Sequence, residues 1–136
     1  MKYELDHVGI AVADLGETVA WLRTILGFEI DAVDEVASQR VRAHFVPAGQ
    51  GGVTLELLEA TSPESVVAKY VAKRGPGLHH VAFRVDDIAA ALDRLKSAGV
   101  RLIDEVPRLG AEGALVAFVH PSVTGGVLVE LKQGTH

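Results

Sequence analysis

The 136-residue chain reads as an α+β protein made of two tandem β-α-β-β-β repeats, forming a cupped eight-stranded mixed sheet with helices on its outer face. Two observations predict this. First, the sequence repeats itself. Residues 5–30 (LDHVGIAVADLGETVAWLRTILGFEI) align with 78–103 (LHHVAFRVDDIAAALDRLKSAGVRLI), which puts Leu5 on Leu78, His7 on His80, Asp14 on Asp87 and Leu22 on Leu95. Residues 43–59 align with 116–132, which puts Phe45 on Phe118 and, after a one-residue gap in the turn, Glu56 on Glu130. His7 and His80 lie 73 residues apart and Glu56 and Glu130 lie 74 apart, and two separate stretches at nearly one spacing mark an internal duplication. Second, in each copy a stretch of period-two alternation gives way to a stripe of helical period. The repeats are set at about 4–60 and 77–133, joined by a connector at about 62–75.

Each element has its own signal. In the first strand, 7–13, Val8, Ile10 and Val12 oppose His7, Gly9 and Ala11; in its counterpart Val81, Phe83 and Val85 oppose His80, Ala82 and Arg84. Asp14 and Asp87 follow these strands and suit helix N-caps. Helices are expected at 15–26 and 88–98, from the stripes Leu15, Val19, Leu22, Leu26 and Ile88, Leu92, Leu95. Gly27 and Gly99 stand where a left-handed glycine ends a helix. Three strands follow in each copy, at 28–36, 40–47 and 52–59, then at 101–106, 113–120 and 126–133. Residues 62–77 read as a helix with Ser62 at the N-cap, Glu64 in the first turn and a packing face of Val66, Val67, Tyr70 and Val71, ended by Gly75-Pro76-Gly77.

Composition narrows the function. The chain is 49% hydrophobic and 23% charged with a formal net charge of −5, and no basic cluster points to nucleic acid. It has no cysteine, so disulfides, thiolate metal sites and a cysteine nucleophile are excluded together. The start, MKYELD, lacks the apolar run of a signal peptide, and no apolar run approaches the roughly 20 residues of a membrane helix; a cytoplasmic protein is expected.

The alternation that buries the strands also aims four polar side chains. With the apolar residues of each first strand facing a helix, His7 and His80 point to the open face. In the last strands Val53, Leu55 and Leu57 oppose Glu56, and Val127, Val129 and Leu131 oppose Glu130. If the repeats meet about a pseudo-twofold axis, His7, Glu56, His80 and Glu130 converge as ligands of one divalent metal ion (Co, Mn, Ni, Zn or Mg), with two positions left for water or substrate. A strand histidine is more often a hydrogen-bonded structural residue and a strand Glu a solvated one, but here both recur at equivalent positions. The remaining candidates lack that support. His79 is one step out of register, His44 and His120 have no counterpart, and His136 is terminal. Lys69, Lys73 and Arg74 read as a solvated helix face, and residues 110–113 (GAEG) as a turn able to cover the open face.

On these residues the chain resembles the vicinal oxygen chelate superfamily, which includes glyoxalase I, and within it the methylmalonyl-CoA epimerases. The segments that carry the likeness are LDHVGIAV, ELLEATSPESVVAKYVAKRGPGLHHVAFRVDD and FVHPSVTGGVLVELKQ, within residues 5–133. The resemblance implies one vicinal oxygen chelate domain over 1–136, an acyl-CoA substrate, a homodimer, and the metal ligands His7, Glu56, His80 and Glu130. It also implies α-proton abstraction with Glu130 as one acid–base of a pair. The family's second ligand is often Gln, so Glu56 adds a negative charge that tightens a hard cation and slightly weakens its Lewis acidity. The pair's other member in the family is a Glu at the position of Ser38, before Gln39, where serine cannot serve as a carboxylate base; Glu35 is the nearest substitute. A glyoxalase I-like isomerase, a dioxygenase and a non-catalytic small-molecule binder on the same fold are the competing readings.

Overall fold

The structure is a computed structural model that describes residues 2–30, 34–36, 40–47, 52–110 and 113–134, with 34–36 described by their backbone. It is a mixed α+β fold. Along the chain run β1 (Tyr3–Ala11), α1 (Leu15–Thr24), β2 (Asp34–Val36), β3 (Val41–Pro47), β4 (Thr54–Ala60), α2 (Val66–Arg74), β5 (Gly77–Val85), α3 (Ile88–Ser97), β6 (Arg108–Leu109), β7 (Leu115–Val119) and β8 (Leu128–Gln133), with a short 3-10 turn at Pro121–Val123. No helix among the described residues is long and apolar enough to cross a membrane. The contacts group into two compact units, residues 8–79 and residues 1–7 with 80–136.

In the unit of residues 8–79 the hydrogen-bonded strand order is β2-β3-β4-β1. β3 and β4 are antiparallel, with His44 opposite Leu57, Phe45 opposite Glu56 and Val46 opposite Leu55. α1 begins at Asp14, whose side chain accepts the Glu17 N–H at 3.0 Å. Its apolar stripe of Leu15, Val19 and Leu22 packs on Val46 and Leu57, with Ile10, Val12, Phe28, Ile30 and Leu55 around them. α2 packs through Val67, Tyr70 and Val71 on Ala11, Val41, Ala43 and Leu58. Leu57 and Leu58 are strand neighbours and point to opposite faces, so α1 and α2 cover opposite faces of β3–β4. The expectation that all helices share the outer face is corrected for α2.

The N-cap of α2 is also corrected. It is Ser65, whose hydroxyl accepts the Ala68 N–H at 3.1 Å. Ser62 forms a turn ahead of the helix: its hydroxyl accepts from Glu64 N–H and its carbonyl from Ser65 N–H. Two serines three residues apart, each followed by a helix-compatible run, read alike in sequence. Val66, expected on the packing face, is exposed.

In the other unit the order is β1-β5-β8-β7-β6. β5 and β8 are parallel, pairing Ala82 with Glu130 and Arg84 with Lys132. β7 and β8 are antiparallel, pairing Ala117 with Leu131 and Phe118 with Glu130. α3 starts at Asp87, which accepts the Ala90 N–H at 3.0 Å, and buries Ile88, Ala91 and Leu92 against Val85, Ala117 and Leu131. It ends at Gly99, with φ of 77°, where Gly99 N–H donates to Lys96 O and Val100 N–H to Leu95 O.

Both units close in the same way. The first backbone N–H of α1, from Leu15, donates to Glu59 Oε2 at 2.9 Å, and that of α3, from Ile88, donates to Gln133 Oε1 at 2.7 Å. Each final strand therefore satisfies an amide that the helix itself cannot pair, and the Glu59 charge also favours the positive end of α1.

The strands expected at 28–36 and 101–106 are the main corrections. Among the described residues of the first, 28–30 are irregular and Asp34–Val36 pairs with β3. Phe28 and Ile30 alternate because they pack against the α1 cluster, which requires burial and no ladder. In the second copy a single bridge joins Leu102 to Val119, and the two-residue β6 lies further on. There Asp104 Oδ2 takes the Phe118 N–H at 2.8 Å, while Ile103 and Asp104 N–H share the Phe118 carbonyl. A side chain has replaced a ladder bond.

Leu92 is 1% exposed, so Leu92→Ala is expected to cost about 2–5 kcal/mol in urea unfolding. Gln133→Ala, which removes only the bond to the α3 amide, is expected to cost about 1 kcal/mol with an unchanged denaturant slope. A larger Gln133 effect than Leu92 effect would contradict this account of the core.

Candidate active site

The faces of β1, β5 and β8 deliver the site. Leu131 under α3 sends Glu130 to the other face of β8, and on that face the parallel register sets Glu130 beside Ala82, with His80 and Arg84 two residues away on either side. His7 comes from β1. The two imidazoles meet edge to face, with Nε2 to Nε2 at 3.1 Å. Glu130 Oε1 is 3.6 Å from His7 Nε2 and 3.9 Å from His80 Nε2. His7 and His80 are 7% and 6% exposed.

Behind His7 stands a charged cluster that alternation did not foretell. Asp6 follows His7's strand neighbour rule only in part: its carboxylate reaches back to His7 Nδ1 at 2.8 Å through Oδ2. The same oxygen accepts from Lys132 Nζ at 3.4 Å, and Oδ1 accepts from Arg84 Nη1 at 2.8 Å. Arg84 also donates to Glu4 at 3.0 Å. Burial pushes the Asp6 carboxyl up and is the largest single influence. The His7 hydrogen bond and the Lys132 charge together outweigh it and hold the group below its ordinary value. The hydrogen bond to Glu4, helped by the Asp6 charge, raises Arg84 further.

This constellation fits a divalent metal. Ligands about 2.1 Å from a common ion lie about 3 Å apart when adjacent and about 4 Å when opposite. The His7, His80 and Glu130 atoms, at 3.1, 3.6 and 3.9 Å, fall in that range. Their chemistry is also right, with two imidazole nitrogens, one carboxylate oxygen and no sulfur. The carboxylate is beyond hydrogen-bond distance of both rings, so direct pairing does not explain the convergence.

The other sequence candidates fall as follows. Glu56 lies in the unit of residues 8–79, half-buried on β4 opposite Phe45, the position that Glu130 holds opposite Phe118 in its own unit. Ser38 and Gln39 lie outside the described residues, as do His136, Ala111 and Glu112. Glu35 pairs with Arg42, which in turn lies opposite Glu59. That row is an odd step from the one holding Glu56 and so alternates out of phase with it. His79 packs edge-on against the Tyr70 ring at 4.8 Å. His120 Nδ1 accepts the Ser122 N–H at 3.0 Å and starts the 3-10 turn. His44 is buried, and neither of its ring nitrogens has a partner among the described residues. Lys69, Lys73 and Arg74 are exposed.

Sequence reasoning missed Asp6, Arg84 and Lys132. The signal available was that Asp6 aligns with His79, so the first copy alone carries an acid beside its metal-strand histidine.

Comparison with known proteins assigns the chain to a family. Residues 6–118 match the family model of the Glyoxalase/Bleomycin resistance protein/Dioxygenase superfamily. The Ethylmalonyl-CoA/methylmalonyl-CoA epimerase of Cereibacter sphaeroides is 39% identical over 131 residues, covering 95% of this chain and 96% of that one. The mitochondrial methylmalonyl-CoA epimerase of Bos taurus is 38% identical over 130 residues, covering 95% and 73%. A solved structure of methylmalonyl-CoA epimerase in complex with methylmalonyl-CoA and NH4+ superimposes with a TM-score of 0.85 at 35% identity, covering 99% and 96%. The chain belongs to the glyoxalase/bleomycin resistance protein/dioxygenase superfamily and, within it, to the methylmalonyl-CoA epimerase family.

Proposed function

We propose that the protein epimerises methylmalonyl-CoA, with His7, Glu56, His80 and Glu130 as ligands of one divalent metal and Glu130 as an acid–base. The observation that carries this reading is the convergence of the His7 and His80 Nε2 atoms and Glu130 Oε1 within 3.9 Å. The relatives named for this activity match over nearly the whole chain. The inclusion of Glu56 is supported by the duplication, since Phe45 opposite Glu56 repeats Phe118 opposite Glu130 and Glu59 repeats the role of Gln133. On this reading the two β-α-β-β-β copies form one cupped eight-stranded sheet in a single domain over 1–136, and the protein acts as a cytoplasmic homodimer on an acyl-CoA.

The proton to be moved lies between a thioester and a carboxylate, and is too weakly acidic to leave unaided at neutral pH. When bound, the metal supplies Lewis-acid stabilisation of the negative charge that develops on the thioester oxygen. His7 and His80 hold their Nε2 atoms toward the reacting group, and Glu130 takes the α-proton on a carboxylate oxygen. The Glu130 side chain is 13% exposed, so little bulk water competes for that oxygen. Inversion needs a second group on the other face. At the position where the family resemblance implies that group, Ser38 has no carboxylate.

The test is deuterium entry at the α-carbon of methylmalonyl-CoA, followed by NMR, with Co²⁺-loaded and chelator-stripped protein. Exchange is expected only in the loaded protein, and Glu130→Gln is expected to slow it by about 10²–10⁴ while the amide oxygen still binds metal. Glu35→Ala is expected to leave exchange unchanged. Deuterium is expected to enter faster than the configuration inverts, because the implied position of the pair's other member carries Ser38. Bound metal with no exchange would overturn the epimerase reading and direct attention to hemithioacetal isomerisation.

A further inference from the structure

We propose that Asp6 is a positioning residue: clamped between Arg84 and Lys132, it holds the His7 ring by its Nδ1–H and so presents an unprotonated Nε2 to the site. Three observations carry this. Asp6 is an acid 6% exposed within a strand, and a carboxylate so placed is retained only when it is paired. Its two oxygens meet three donors, His7 Nδ1, Arg84 Nη1 and Lys132 Nζ, at 2.8, 2.8 and 3.4 Å. Arg84 and Lys132 are direct partners across β5 and β8, where two cations repel unless an anion lies between them. The acid and its two braces thus form one unit, fixed from two strands that do not carry His7.

The consequence for His7 follows from the inventory of donors and acceptors. An ionised carboxylate only accepts, so the proton in the 2.8 Å contact belongs to His7 Nδ1. A neutral ring then has its lone pair on Nε2, which faces His80 and Glu130. A carboxylate behind a ligating histidine fixes the ring's tautomer and orientation and raises its basicity. Asp6 has no acidic counterpart in the other copy, where His79 stands at the aligned position. His7 is therefore the ligand whose presentation the protein controls through a buried anion. The purpose of this arrangement rests on the metal reading above, whereas the hydrogen bond itself does not.

The experiment uses the full chain labelled with ¹⁵N-histidine, metal-free, read by long-range ¹H–¹⁵N correlation at neutral pH, with the His7 signals assigned by their loss in His7→Gln. The wild type is expected to show His7 as the Nδ1–H tautomer. In Asp6→Asn the single amide oxygen stays with Arg84, the shorter of the two cationic contacts, so the amide nitrogen takes the place of Oδ2, donates to His7 Nδ1, and the ring proton is expected to move to Nε2. Co²⁺ affinity, measured by competition with a chelator, is expected to fall about 10–100-fold in the same variant. A wild-type His7 carrying its proton on Nε2 would overturn the assignment without recourse to any variant. So would an Asp6→Asn protein with the wild-type tautomer and Co²⁺ affinity. If the wild type takes up no Co²⁺, the metal reading fails, and the tautomer still decides the role of Asp6.

Discussion

Everything at the site depends on which way the last strand of each unit faces. Leu57 is buried beneath α1 and Leu131 beneath α3. Side chains alternate along a strand, so the residues one step before them, Glu56 and Glu130, must face away from those helices. A slip of one residue would bring out a leucine worth about 1.5–3 kcal/mol of burial and drive a carboxylate under a helix, at a cost of several kcal/mol if unpaired. The two penalties add, so the register is set firmly. The core is thus what aims the carboxylates, and packing and chemistry are two readings of one alternation.

That is why so much of the fold and of the site was legible in sequence. The mixed α+β class, the helices α1 and α3 and the caps Asp14 and Asp87 follow from periodicity and local chemistry, and the same alternation sets His80 and Glu130 on one face of β5 and β8. What failed has a common cause. Phe28, Ile30 and Leu102 alternate as strand residues do, yet they pack on helices without a ladder. Burial alone imposes alternation, and sequence cannot tell whether a partner strand lies alongside. The Asp104 side chain that takes the Phe118 amide illustrates how such pairing is displaced. Asp6 escaped notice for the opposite reason. Strict alternation turns it away from His7, and only a side chain reaching back to its neighbour, held by Arg84 and Lys132, reverses that.

Asp6 and Glu130 are held to different degrees beside the imidazoles. Asp6 has charged donors on both oxygens and stays ionised, which suits a group that orients and does not react. Glu130 lies 3.6 and 3.9 Å from the histidine nitrogens, outside hydrogen-bond distance of both. A proton-transfer group has to gain and lose a proton within one turnover, and strong fixed donors would oppose that. The grip on Asp6 thus suits the orienting role proposed for it, and the looser placing of Glu130 the acid–base role proposed for that residue.

The distinction between exchange and inversion follows from the same count of carboxylates. Removing and returning a proton on one face needs one group, and on the proposed reading Glu130 serves for both. Inversion needs delivery from the opposite face. Position 38, where the family resemblance implies a Glu, carries a serine and so offers no carboxylate there. If that delivery is the slower of the two, return by Glu130 is the faster fate of each abstracted proton on the proposed reading, and configuration changes only in the turnovers that escape it.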